Sequence, residues 1–213
     1  MIIKKSNLTL IVTTLVTLIP IALGVILYDK LPEQIPSHFN SAGEVDGYMA
    51  KNGMVFGLPL GLAVLNAFVN FTLDADPKRQ NANKIIKLVG KCTIPAVSCI
   101  CIPISLLYGL GYEIPIHVIV MCFVGVLFIA IGNYMPKSKQ NYTVGIKLPW
   151  TLDNENNWNK THRMAGVLYV ISGIILIIST LTQFATGYII FIVIILCSVI
   201  PFMYSYSLYK RGN

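Results

Sequence analysis

Two histidines stand near carboxylates in this chain, and chemistry would have to begin there. His38 precedes Glu44 and Asp46, and His162 follows Asp153 and Glu155. An imidazole beside carboxylates suits acid–base work or metal binding. Further requirements go unmet at both places. A metal site needs three or four ligands at a recognisable spacing, and H-E-x-x-H is absent. Near His162 there is no G-x-S-x-G and no cysteine to serve as nucleophile. Gly-rich phosphate loops are missing as well. The expectation is therefore no catalytic residue, no metal and no cofactor. His38 is expected to be a hydrogen-bonded loop histidine, and His162 to fix a local fold or touch a partner.

A second kind of chemistry would be polar groups inside a membrane, and the chain invites that search. It is 213 residues long, 55% hydrophobic and only 12% charged, with mean hydropathy +0.69. Soluble proteins carry about 25% charged residues, so the chain lacks the polar surface a water-soluble fold needs. Six apolar stretches of about 20 residues each are long enough to cross a bilayer. They run Leu8–Tyr28, Met54–Leu73, Leu88–Leu110, Ile114–Tyr134, Met164–Phe184 and Tyr188–Tyr209. No Asp, Glu, Lys or Arg falls in the middle of any span. Proton relays and ion-coupled transporters usually need such groups. What remains is amides: Asn66 and Asn70, four apart on one helix, and Asn133. They either bond helix to helix or line a polar cavity. Proline at 20, 59, 95, 103 and 201 can kink the spans and is assigned no role.

The net charge of +7 is a topology signal. Only Lys30 and Lys51 of the 16 basic residues fall in the loops Asp29–Gly53, Gly111–Glu113 and Ala185–Gly187, so those loops face outward and both termini inward. The basic excess meets anionic lipid, and direct nucleic-acid binding is not expected. Lys4 and Lys5 precede an apolar run too long for a signal-peptide core and with no clear A-x-A site, so the first span is read as retained. The five cysteines (Cys92, Cys99, Cys101, Cys122, Cys197) lie in or at the ends of spans, where they serve as small hydrophobes rather than a disulfide framework. Only Ala185-Thr186-Gly187 joins the last two spans, which must form an antiparallel hairpin.

Three polar segments connect these spans. The outer loop 29–53 carries Pro32 and Pro36, which favour extended backbone, and turn signals at Ser41-Ala42-Gly43 and Asp46-Gly47. A compact, partly extended cap is expected. The inner loop Asp74–Lys87 is expected to be a solvated basic connector. The third segment, Asn141 to Arg163, reads NYTVGIKLPWTLDNENNWNKTHR and holds both tryptophans, eight residues apart. Thr151 or Asp153 can cap a helix that feeds into the fifth span, on which Trp158, His162 and Gly166 share a face. Trp150 and Trp158 are natural headgroup anchors.

The third segment resembles the signature of the SdpI family of bacterial multi-pass membrane proteins. There an Asn precedes G-[IL]-R-T-P-W-T-L, and a second Trp follows the first at the same interval. The outer run from Leu31 to Tyr48, LPEQIPSHFNSAGEVDGY, is similar to the DUF1648 pattern L-P-x-x-I-P-x-H-[FW]-N-x-x-G-x-x-D-G. The resemblance implies immunity against a secreted toxic peptide that attacks the membrane, and in some members a receptor that holds a small cytoplasmic transcriptional repressor. It implies outer binding residues Pro36, His38, Asn40, Gly43, Asp46 and Gly47. On the inner side it points to Asn141, Gly145, Lys147, Pro149, Trp150, Thr151, Leu152 and Trp158, with His162 and Arg163 beside them. Lys147 and Leu148 depart from the usual Arg and Thr, and Lys lacks the planar fork of arginine.

The expectation is an all-α polytopic membrane protein with six transmembrane helices, N-in and C-in, under a short extracellular cap. Residues 1–73 form two helices with the outer loop 29–53, residues 74–134 the linker and the next two helices, and residues 135–213 the signature block 141–163 and the last two. The expected function is toxin immunity by binding rather than turnover, in a bacterial cell membrane. The alternative is a small transporter or flippase whose cavity holds Asn66, Asn70 and Asn133. A membrane enzyme using His38 or His162 is the third class.

Overall fold

The computed structural model describes residues 5–40 and 43–212. Expectations placed on Lys4, Ser41 and Ala42 lie outside the described residues. In lipid every backbone N–H and C=O must be satisfied internally, so uninterrupted apolar stretches become helices. Seven form: α1 (Lys5–Leu27), α2 (Leu58–Ala75), α3 (Lys84–Gly109), α4 (Ile116–Tyr134), the short α5 (Pro149–Asp153), α6 (Glu155–Thr182) and α7 (Thr186–Lys210). Among the described residues six are long and apolar enough to cross a membrane. Pro20, Pro95, Pro103 and Pro201 lie inside their helices. Several helices begin earlier than the apolar runs suggest. α3 starts at Lys84 and α6 at Glu155, so α3 opens on Lys-Ile-Ile-Lys and α6 on a polar first turn. Lys91, counted among the loop cations by the charge pattern, is buried on α3.

The chain divides into two compact units, Met1–Phe71 with Gly90–Val120, and Thr72–Val89 with Met121–Asn213. In the first unit the outer loop forms an antiparallel hairpin of β1 (Gln34–Phe39) and β2 (Val45–Ala50). Its register pairs Gln34 with Ala50, Ile35 with Met49 and Pro36 with Tyr48, then breaks step so that His38 opposes Gly47 and Phe39 opposes Val45. Ile35 is fully buried with Leu31, Met54, Val55, Ile102 and Leu106, which anchors the hairpin base to the helices. Phe39 packs edge-on against Tyr108 at 5.3 Å between centroids. Below lies a polar stripe. Asn66 Nδ2 donates to Thr13 Oγ1 (3.1 Å) and Thr14 Oγ1 (3.0 Å), Asn70 Nδ2 donates to Asn66 Oδ1 (3.2 Å), and Ser98 Oγ donates to the Thr17 carbonyl (2.7 Å). The bonds of Asn66 and Ser98 join α1 to α2 and α3, and the Asn70–Asn66 bond lies within α2.

In the second unit α4 and α6 touch through glycines. A Cβ at Gly132 would fall 2.6 Å from the Gly166 carbonyl oxygen, and one at Gly166 would fall 2.7 Å from that of Gly132. Gly125 and Gly173 repeat the arrangement, at 2.9 and 2.5 Å. No side chain fits in either place. α6 ends at Gln183, which adopts a left-handed conformation (φ +53°), as does Ala185 (φ +51°); together they turn the chain into α7. Ser179 Oγ donates to the Phe184 carbonyl across that corner (2.7 Å).

Candidate functional site

The hairpin tip is built by Asn40. Its backbone N–H donates to the Glu44 carbonyl (2.9 Å), its Oδ1 accepts the Glu44 N–H (3.0 Å), and its Nδ2 reaches Glu44 Oε2 (3.0 Å). Asn40 and Glu44 thus close the ladder, and Asp46-Gly47, expected as a turn, belongs to β2. Gly43 has φ +85°, and a Cβ there would meet His117 Nδ1 at 2.6 Å, so the tip rests on the first turn of α4 and only glycine suits it. Gly47 is required for a different reason: its missing side chain leaves room for His38 Cβ, 2.9 Å from where its own Cβ would stand. His38 bonds through Nδ1 to Asp46 Oδ1, and both side chains are well exposed. Glu44 is engaged by Asn40 instead, so the carboxylates near His38 do not converge on one point. Among the described residues no three His, Cys, Asp or Glu side chains come together as a metal site. Pro36 stands in β1 with Gly109 close beneath its ring. The hairpin thus presents His38 and Asp46 close to Gly43 and Gly47, where a side chain would clash.

The signature block is a knot of internal hydrogen bonds. Asn141, fully buried, accepts the N–H groups of Thr143 (3.1 Å) and Val144 (2.7 Å) on Oδ1 and donates to the Lys139 carbonyl (2.9 Å). Gly145 has φ +109°, and a Cβ there would stand 2.3 Å from His162 Nε2. That nitrogen accepts the Ile146 N–H (2.9 Å), while Nδ1 donates to the Trp158 carbonyl (2.8 Å), the pattern of a neutral ring protonated on Nδ1. Trp158 stacks on the same imidazole, with centroids 3.9 Å apart and planes at 21°. Its indole N–H donates to the Ser138 carbonyl (2.9 Å).

Trp158 is fully buried, which corrects its expected place as a headgroup anchor. A tryptophan can be amphipathic at a membrane surface, but here its one donor has a protein partner and its faces are covered. Trp150 is half-buried, with its N–H on Ser205 Oγ (2.7 Å) and its ring among Phe202, Tyr206 and Tyr209 of α7.

Pro149 opens α5 at a position where its missing N–H is harmless. Thr151 accepts the Leu148 N–H (2.8 Å) and is buried beneath that turn. The cap of α6 is Asn154, which accepts the N–H groups of Asn156 (2.8 Å) and Asn157 (3.0 Å); neither Thr151 nor Asp153 serves there. Asn157, which sequence reasoning passed over, is fully buried and tied to Ser205 of α7 through both ends of its amide (3.0 and 2.7 Å).

The loop 74–87, expected as a solvated connector, is part of this knot. Asp76 is buried and accepts Thr143 Oγ1 (2.7 Å), the Tyr142 N–H (3.0 Å) and the Lys78 N–H (2.7 Å). Burial pushes its carboxyl up, and the hydrogen bonds from Thr143, Lys78 and Tyr142 outweigh that, holding it below the usual aspartate value. Lys78 reaches Gln140 Oε1 (3.0 Å), Asn81 donates to the Gln140 carbonyl (2.8 Å), and Gln140 Nε2 donates to the Thr151 carbonyl (2.9 Å). With its buried polar groups spoken for, the knot offers no free nucleophile. Its outer surface shows Lys147, Arg163 and Tyr142 to solvent. Asn133 is exposed on α4; Asn66 bonds across to α1, whereas Asn70 Nδ2 bonds Asn66 within α2 and the buried Asn70 Oδ1 has no hydrogen-bond partner among the described residues.

Comparison with known proteins fits both places. The SdpI/YfhL protein family matches residues 137–205, and the domain of unknown function DUF1648 matches residues 15–63. The protein "Immunity protein SdpI" of Bacillus subtilis (strain 168) is 31% identical over 214 aligned residues, covering 99% of this chain and 98% of that one. The chain belongs to the SdpI/YfhL family. It is a multi-pass cell-membrane protein. No solved structure matches it. The SdpI/YfhL match takes in the signature block with all of α6 and most of α7, and the DUF1648 match takes in the hairpin with the second half of α1 and the start of α2.

Proposed function

We propose that this protein guards its own cell against a secreted, membrane-attacking peptide, and that it does so by binding. The likeness to an immunity protein along nearly the whole of both chains supports an immunity function and carries the proposal. The charge pattern of the loops supports an orientation with the hairpin outside and the knot inside. On that orientation the peptide first meets the hairpin tip, where His38 and Asp46 are exposed and held by Asn40, Gly43 and Gly47. The knot serves as the inner clamp of the bundle, and its exposed Lys147 and Arg163 form the face on which a cytoplasmic repressor would dock.

The test is protection of a toxin-sensitive host expressing the full chain. Protection should be lost with His38→Ala/Asp46→Ala while the amount of folded, membrane-inserted protein is unchanged. Correct insertion of the parent chain without protection against any cognate-type peptide would sink the immunity reading. Full protection by the hairpin double variant would sink the assignment of first contact.

A further inference from the structure

The start of α3 and the turn after α4 enclose an open cleft of about 630 Å³ in the second unit. Three lysines line it: Lys84, Lys137 and Lys139, all exposed. None has a carboxylate partner among the described residues. The acids that open the adjoining loop are taken, Asp74 by Lys87 (3.5 Å) and Asp76 by Lys78, Tyr142 and Thr143.

The walls are fixed before anything binds. Lys139 N–H donates to the Asn81 carbonyl (2.9 Å), Asn83 N–H to Ser138 Oγ (3.0 Å), and the Lys137 ammonium sits over the Tyr134 ring (4.4 Å). Like charges in a concave site raise the local potential and draw in an anion. Beside Lys84 the cleft has an apolar flank: Ile85 lines it and is 42% exposed, and Leu88, one turn further along α3, is 55% exposed. A ligand suited to both would carry phosphate at one end and hydrocarbon at the other.

We propose that this cleft binds the headgroup of an anionic phospholipid, with an acyl chain lying along Ile85 and Leu88. Basic pockets at the cytoplasmic ends of membrane helices bind such headgroups by charge. Nothing in this assignment depends on recognition of a toxin.

Native mass spectrometry of the purified full chain, titrated with cardiolipin, phosphatidylglycerol and phosphatidylcholine, tests it. The first two should be retained and the third should not. Each lysine near an anionic lipid surface contributes about fivefold in affinity, so Lys84→Gln/Lys137→Gln/Lys139→Gln should weaken cardiolipin binding about a hundredfold. The charge-matched control Lys30→Gln/Lys210→Gln/Arg211→Gln, whose side chains do not line the cleft, should lose clearly less than the cleft variant. If the triple variant does not fold, the three single substitutions should each show a loss of about fivefold. Equal loss in the control, or no preference over phosphatidylcholine, overturns the proposal. Tighter binding of inorganic phosphate or of a glutamate-rich peptide than of cardiolipin overturns the lipid assignment.

Discussion

Gly145→Ala should unseat the knot from a single methyl group. The residue sits at φ +109°, outside the basins open to L-residues, and its Cβ would land 2.3 Å from His162 Nε2. Holding alanine in so sparsely populated a conformation costs about 1–3 kcal/mol. The ring must also move, which leaves the Ile146 N–H without its acceptor, at about 1–3 kcal/mol for a buried donor. The sum, about 2–6 kcal/mol, is comparable with the whole stability of many domains. Thermal unfolding in detergent, followed by the monodisperse fraction, reads the loss.

The decisive measurement is a double-mutant cycle with His162→Ala. Without the ring the new methyl has room, so the double variant should be less destabilised than the sum of the singles by about 1 kcal/mol or more. Strict additivity within about 0.5 kcal/mol would show that the methyl and the ring do not meet, and would refute the reasoning.

Three further outcomes follow from the geometry. Asp76 has a folded-state pKa below its unfolded value, so its stabilising contribution is present above the unfolded value of about 3.9 and disappears as pH falls through the folded one; Asp76→Asn should flatten the acid limb of a stability–pH curve, and an unchanged limb would count against it. Gly132→Val should drive α4 from α6, because the Gly166 carbonyl leaves no space for a side chain, with a loss of folded protein of about 2 kcal/mol or more by the same unfolding assay. Trp150→Phe keeps the aromatic packing and drops the bond to Ser205, at about 1 kcal/mol, whereas Trp150→Ala should cost about 3–5 kcal/mol; equal effects would mean that the ring contacts with α7 contribute little.

The six membrane helices were legible because lipid burial leaves a compositional mark that needs no partner to be read. The parts that were misread depend on partners far along the chain. Asp76 looked like a connector residue because the groups that need it, Tyr142 and Thr143, come after two intervening membrane helices. Trp158 looked like a surface anchor because its stacking partner is legible only as a face-sharing residue, and its carbonyl partner, Ser138, carries no side-chain signal. Asp46-Gly47 has the composition of a tight turn, yet Asn40 closes the chain earlier by binding Glu44 with both backbone and side chain. The glycines of α4 and α6 did leave a trace, an identical seven-residue interval on each helix, and it could have been found by comparing the two spans.

One helix joins the knot to the bilayer interior without a break. The 28 residues of α6 make a rod of about 42 Å at 1.5 Å per residue, against about 30 Å of hydrocarbon. A rod longer than the oil it crosses cannot keep its two ends independent. Sliding the rod by one residue rise moves it about 1.5 Å, about half the 2.9 Å between Ile146 N and His162 Nε2, so this bond must stretch or bend with any such shift. His162 therefore belongs at once to the knot and to a helix whose apolar length runs on past it.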